Sequence, residues 1–387
     1  MTELYVRLLA DVSSLTGVHL CAPDDIDDAW LLNEGPKLDK MLLQYLEGNE
    51  EYPTFPDWVK PLSDWFQSTH SGRALRYLRQ ILLFCYKIEN EPSNQQLNEA
   101  QASFINTEDG VACWESHFET ADKSFYSTAR SIVGRVIYSI DWKKAIPSHG
   151  PGAVYPRCEP WNKGDFSSIY RTIEQHFPFA EYFIGLPNFW GEMIAQRQEC
   201  LVERDYIESR LVAVPKDSRG PRLICVHPKE AIWIQQGCRR LLEDAIMRSP
   251  LTARRINFDD QEVNARLALS SSESREFVTL DLKEASDRIS CQLVKFLFGT
   301  YAYDIISCSR ASTCRLLDDR VIKLRKWAPM GNCLTFPVQS LIFYALVRSG
   351  IKCRYGEDCN EIYVFGDDII FPSRYYEGAV NALSRAG

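Results

Sequence analysis

The segment Glu361 to Pro372, EIYVFGDDIIFP, sets a glycine and two adjacent aspartates between two apolar runs. Ile362-Tyr363-Val364-Phe365 and Ile369-Ile370-Phe371 are β-branched and aromatic, the composition of strands. Gly366 tolerates the positive φ of a tight turn, so the stretch reads as a hairpin bending at Asp367 and Asp368. Adjacent carboxylates repel, and one takes up a proton unless a cation or water compensates. Asp also serves simply as a turn former, so the pair gains chemical meaning only if further ligands reach it.

Three other stretches supply candidates. In FVTLDLKEASDRIS, Asp281 ends the apolar strand Phe277 to Leu280, and Asp287 follows six residues on, past a turn. The plainer reading of Asp281 is a helix N-cap. Asp281, Asp367 and Asp368, carried on two adjacent strands, form an all-oxygen set suited to two Mg²⁺ ions, with Mn²⁺ as a substitute. Two such ions roughly 3.5–4 Å apart activate an attacking hydroxyl and stabilise a leaving phosphate in one displacement.

In KWAPMGNCLTFPVQSLIFYALV, Gly331-Asn332 makes a turn that opens an apolar helix, with Thr335 four residues after Gly331. In VPKDSRGPRLICVHP, Lys216, Arg219 and Arg222 recur every third residue in a loop broken by Gly220 and Pro221. Such cations can surround a triphosphate, Arg with its fork and Lys as a point charge. Read singly, each is an ordinary solvated cation.

The rest of the chain fits a globular protein of mixed structure. At 387 residues, 45% hydrophobic and 25% charged, it is long enough for two or three lobes. No apolar run approaches the length that spans a bilayer. Thirteen cysteines, odd in number and never spaced Cys-x-x-Cys, argue against a disulfide framework or a zinc site and for a reducing cytosol. The net charge of −8 is unevenly placed: residues 1–60 carry twelve acidic and four basic side chains, residues 216–255 nine basic and four acidic. A polyanion channel confined to the middle of the chain suits that distribution.

Helical spacing marks 4–15, 38–46, 74–86, 229–247, 290–298, 335–348 and 376–386. Strands are expected at 207–214 and 277–282, and a hairpin at 315–324 turning at Asp318-Asp319. The Pro- and Gly-rich 146–164 reads as loop. Strands separated by helices, then a hairpin, indicate an α+β fold.

In order, VPKDSRGPR, DLKEASD, MGNCLTF and FGDD resemble the conserved motifs of viral RNA-dependent RNA polymerases. The match is most similar to the replicase catalytic subunit of single-stranded RNA bacteriophages, the leviviruses, to which HGPGA and INFDDQEVNARLA also bear likeness. That resemblance implies a right-hand polymerase. Residues 1–148 would be a mostly helical, fingers-associated region, 149–265 the fingers, and 266–387 the palm, its antiparallel sheet packed on helices.

It implies Asp281, Asp367 and Asp368 as Mg²⁺ ligands, and Asp287 near the ribose 2′-hydroxyl of the incoming nucleotide. Ser286, Gly331, Asn332 and Thr335 would line the nucleotide site, and Lys216, Arg219 and Arg222 would hold its phosphates. RNA template, nascent RNA and nucleoside triphosphates are the implied partners in the bacterial cytoplasm, with host elongation factors Tu and Ts and a ribosomal RNA-binding protein. Relatives continue past the last motif through a lysine-bearing motif and a thumb. The resemblance therefore implies a chain with the thumb largely missing, which alone would polymerise poorly. Phe365 stands where many relatives have Tyr, Pro329 where Ser is usual, and Gln339 where other polymerase families place Asn. A reverse transcriptase, or an inactive RNA-binding palm, is the alternative; the polar Asp287 and the intact aspartates speak against them.

Overall fold

The structure is a computed structural model that describes every residue except 1, 22, 24, 25, 29, 89, 90, 122, 185–200, 218 and 219. Arg219 of the basic motif therefore lies outside the described residues. The chain divides into two compact units, Met1–Ala100 with Ala213–Arg222, and Gln101–Val212 with Leu223–Gly387.

In the first unit, helices α1 (Thr2–Thr16), α2 (Gly35–Leu46), α3 (Lys60–Thr69) and α4 (Gly72–Leu82) turn their apolar stripes inward. Tyr5, Leu9, Leu42, Leu62 and Leu78 form a shared core. Each such side chain, fully buried, contributes roughly 1.5–3 kcal/mol. Arg79 adds two hydrogen bonds to the buried Asp39, at 2.8 and 3.1 Å. The three helices expected here from apolar spacing coincide with α1, α2 and α4.

The second unit holds most of α5 (Asn94–Thr120), then α6 (Ser127–Ile137), α7 (Lys229–Arg248), α8 (Glu262–Ser274), α9 (Cys291–Phe298), α10 (Thr335–Tyr355) and α11 (Tyr376–Arg385). Its axis is α10, buried without interruption from Pro337 to Ile351 and packed against α6, α7 and α11. A helix apolar on all faces needs this surrounding. Ser290 starts α9 by accepting a hydrogen bond from the Leu293 N–H at 3.0 Å.

Three sheets accompany the helices. Strands β1 (Ser168–Tyr170) and β2 (Val202–Arg204) pair in parallel. A four-stranded sheet runs in the order β4 (Gly220–Val226), β3 (Glu208–Asp217), β6 (Thr313–Arg315), β7 (Val321–Lys323). The β6–β7 hairpin turns at the expected Asp318-Asp319, with φ +64° at Asp319. The third sheet, in the order β5 (Phe277–Asp281), β9 (Asp368–Pro372), β8 (Tyr363–Phe365), is antiparallel throughout. Helices mixed with small sheets make this an α+β protein, as the sequence indicates.

One local expectation is corrected. The segment around Lys216 is not open loop: β3 continues through Asp217 and β4 begins at Gly220, hydrogen-bonded neighbours joined by two residues. The run Leu211-Val212-Ala213-Val214 carries the ladder forward in spite of Pro215.

Candidate active site

The three-stranded sheet brings the distant aspartates together. Strand β5 pairs with β9 from Phe277↔Pro372 to Asp281↔Asp368, so the last residue of one strand faces the first of the other. Residues directly opposed across antiparallel strands share a face, with Cβ atoms about 4.5–5.5 Å apart. Strand β8 closes on β9 at Phe365↔Asp368, leaving Gly366-Asp367 as a two-residue turn. Only Gly366 of this pair has positive φ, at +66°, the pattern of a type II′ hairpin. A Cβ at Gly366 would stand 2.5 Å from Phe336 Cε2, and its N–H donates to Ser340 Oγ at 3.2 Å. Glycine is thus required twice over, by dihedral and by space.

Behind the aspartates lies the segment INFDDQEVNARLA. Ile256 bridges Val364 in parallel, and the Asn257 N–H donates to the Val364 carbonyl at 3.1 Å, extending the sheet beyond β8. Helix α8 then packs on β5 and β9. From its start, Gln261 Nε2 donates to Asp368 Oδ2 and Asn264 Nδ2 to the Asp368 carbonyl, each at 3.4 Å. An open cleft of about 460 Å³ sits here, lined by Gln261, Asn264, Thr279, Asp281 and Asp368 among others.

Asp281 and Asp367 are exposed, whereas Asp368 is half-buried. Burial pushes the Asp368 carboxyl above its usual value, and the charges of Asp367 and Asp281 push it the same way. Like charges thus stand near one another across the strand pair and its turn. Among the described residues, however, no three His, Cys, Asp or Glu side chains are gathered closely enough to hold a metal ion as they stand. The oxygen-donor chemistry is of the kind that suits a hard divalent cation.

The MGN turn is built by close approach. Gly331 has φ +115°, and a Cβ there would run into the carbonyl oxygen of Cys225. The Cys225 N–H donates to the Met330 carbonyl at 2.8 Å, holding the turn against β4. Asn332 Oδ1 accepts from the Leu334 N–H at 2.8 Å, an Asx turn two residues ahead of α10. Its Nδ2 is buried and has no hydrogen-bond partner. Thr335 donates to the Ala328 and Pro329 carbonyls, at 3.1 and 3.3 Å, and so pins the loop that precedes it.

Ser286 and Asp287 lie on a short 3₁₀ turn, Ala285–Arg288, that packs against α10. Burial pushes Asp287 above the usual carboxylate range, opposed by the ammonium of Lys326 at 3.8 Å. Asp287 Oδ1 is buried without a partner. Lys216 and Arg222 are exposed on the β3–β4 hairpin tip, which is counted with the first unit.

The comparisons with known proteins bear on this sheet directly. The sequence model of the family described as RNA replicase, beta-chain matches residues 189–387, just over half of the chain and the whole of the third sheet. The chain belongs to the RNA replicase beta-chain family.

It is 37% identical over 167 residues to the RNA-directed RNA polymerase subunit beta of Enterobacteria phage SP, covering 43% of this chain and 28% of that protein. Against the corresponding subunit of Escherichia virus Qbeta it is 36% identical over 166 residues, 43% of this chain and 27% of that protein. With the RNA-directed RNA polymerase beta chain of Escherichia phage MS2 it shares 30% over 248 residues, 61% and 44% of the two chains. The chain thus spans less than half the length of the curated relatives it matches.

Sequence reasoning did not select Gln261 and Asn264 beside Asp368, Lys326 beside Asp287, or Glu108, whose Oε2 lies 3.8 Å from the Lys326 ammonium. INFDDQEVNARLA held the signal for the first two, an amide at each of two positions three residues apart at the start of a helix. For Glu108 nothing local pointed to the site.

Proposed function

We propose that this chain carries the polymerising centre of an RNA-directed RNA polymerase that copies a phage RNA genome from nucleoside triphosphates. The reading rests above all on the register Asp281↔Asp368, beside the turn that presents Asp367, in a replicase beta-chain. In right-hand terms, the sheet β5–β9–β8 and helices α8, α9 and α10 form the palm, and the basic hairpin belongs to the fingers.

Asp281, Asp367 and Asp368 would hold two Mg²⁺ ions. When bound, these supply charge neutralisation at the α-phosphate and favour the ionised 3′-hydroxyl. The protein's own part is mainly positioning. Gln261 and Asn264 orient Asp368 by donating to it. Asp287 Oδ1, an acceptor, and Asn332 Nδ2, a donor, are both buried and unpartnered, and a ribose hydroxyl offers each what it lacks. Lys216, Arg219 and Arg222 would hold the triphosphate, with Ser286, Gly331 and Thr335 shaping the nucleotide site.

An unpartnered carboxylate at Asp287 favours ribonucleotides over deoxyribonucleotides, which separates this reading from a reverse transcriptase. Template RNA and nascent strand are the macromolecular partners; host elongation factors Tu and Ts and a ribosomal RNA-binding protein follow from family likeness, in the bacterial cytoplasm. Asp367→Asn tests the assignment. Mg²⁺-dependent synthesis by a replicase containing this chain should be abolished while RNA binding is largely spared. Activity within a few-fold of wild type would remove the metal role.

A further inference from the structure

Lys326 has no solvent exposure, the rarest position for a lysine. Its ammonium stands 3.8 Å from Asp287 Oδ2 and 3.8 Å from Glu108 Oε2. It donates to the Phe104 carbonyl at 3.2 Å and lies 3.5 Å from the centroid of the Phe104 ring. A buried ammonium is costly unless paired, and here two carboxylates share it. Two buried carboxyl groups thus face one ammonium. Asp287 Oδ1 and Glu108 Oε2 are the oxygens left without a hydrogen bond.

The backbone around Lys326 is held on both sides. Glu108 Oε1 accepts from the Arg325 N–H and, at 3.2 Å, from the Lys326 N–H. Lys326 bridges Ser290, and the Trp327 N–H donates to the Ile289 carbonyl at 2.7 Å. Helix α5 therefore fixes the extended segment that bears Lys326, just past β7, and that segment fixes the turn that bears Asp287. Among the described residues, Glu284, just before the turn and paired with Arg288, also acts on Asp287, and Arg310 donates to the Lys326 carbonyl at 3.0 Å and acts on Glu108.

We propose that Lys326, anchored by Glu108, is the positioning residue that keeps Asp287 an ionised acceptor for the sugar of the incoming nucleotide, and so sets the preference for ribo- over 2′-deoxyribonucleotides. The inference rests on the polymerase reading above. Without the ammonium, burial favours the protonated acid, which no longer offers two acceptor oxygens. A lysine that served only packing would affect both kinds of nucleotide alike.

The test compares kcat and KM for ATP and 2′-deoxyATP on a primed RNA template, using a replicase assembled with this chain. Wild type should favour ATP, and Asp287→Asn should shrink the preference about ten- to hundredfold through a higher KM for ATP. Lys326→Met and the gentler Lys326→Gln should each shrink it to a similar extent. Lys326→Met combined with Asp287→Asn should add little. Lys326→Arg, which keeps the charge, should retain most of the preference. If Asp287→Asn lowers the preference while Lys326→Met and Lys326→Gln leave it intact, the inference fails and the reading of the site stands. If wild type shows no preference, or Asp287→Asn leaves it unchanged, the ribose reading and the inference fall together.

Discussion

Asp281 and Asp368 face each other across antiparallel strands, one closing β5 and the other opening β9. Between them they place two carboxylates on one face, with Asp367 on the adjoining turn. Hydrophobic strand pairing therefore forces together charges that repel, and the first predictions follow from that conflict.

Asp368 is raised by burial and by its two neighbours. A carboxyl whose folded value lies above its unfolded one contributes stability at low pH and loses it as pH rises. In divalent-free buffer at pH 7, Asp368→Asn should therefore melt about 1–2 °C above wild type. The advantage should shrink on acidification toward pH 4, and millimolar Mg²⁺ should reverse the order. Thermal melts across pH, with and without Mg²⁺, measure all three.

Gly366→Ala meets both a left-handed φ and the Phe336 ring. The expected loss is about 1–3 kcal/mol, with synthesis falling further because the turn presents Asp367. Chemical denaturation and primer extension on the same variant check the two effects. Unchanged stability would contradict the turn geometry.

His227 lies wholly inside the protein, its Nδ1 2.9 Å from the Cys225 carbonyl, and burial lowers its pKa from 6.5 to about 4. The unfolded chain binds this proton more readily, so stability should fall as pH drops from 6.5 toward 4, by about 2–4 kcal/mol. His227→Gln should flatten that part of the profile. Denaturation midpoints at several pH values decide it.

Lys216 and Arg222, exposed on the basic hairpin, should contribute to RNA binding through phosphate contacts. Each alanine substitution should reduce the slope of log K against log salt by about 1, with little dependence on RNA sequence. A slope unchanged in both variants would place the RNA path elsewhere.

Much of this arrangement was legible in the sequence, for physical reasons. Phe277 to Asp281 and Tyr363 to Pro372 are dense in β-branched and aromatic residues, so their strand character and the glycine turn were plain. Helix α10 announced itself by the apolar run from Leu341 to Val347. What stayed hidden was α5: its buried face includes Gln101, Thr107, Glu108 and Glu115, polar residues that erase the amphipathic pattern. Two of those side chains, Gln101 and Glu108, face inward to serve backbone groups of the 317–326 segment, and Glu115 serves the Gln292 N–H at the start of α9. Gln101 accepts from the Leu317 N–H at 2.8 Å, and Glu108 from Arg325 and Lys326. Partners more than two hundred residues away cannot be read from local spacing. Lys326 was masked likewise, since a lysine beside a tryptophan gives no hint of complete burial. The basic hairpin was misread as loop because Gly220 and Pro221 outweighed the strand residues around them.

The most direct test of the central claim is Mn²⁺ binding, followed by electron paramagnetic resonance on this chain and on Asp281→Asn. The convergence of Asp281 with Asp367 and Asp368 predicts that wild type takes up Mn²⁺, that Mg²⁺ displaces it, and that the variant loses most of the affinity while keeping its fold. Equal Mn²⁺ uptake by the two proteins would contradict a shared site built on that strand pair.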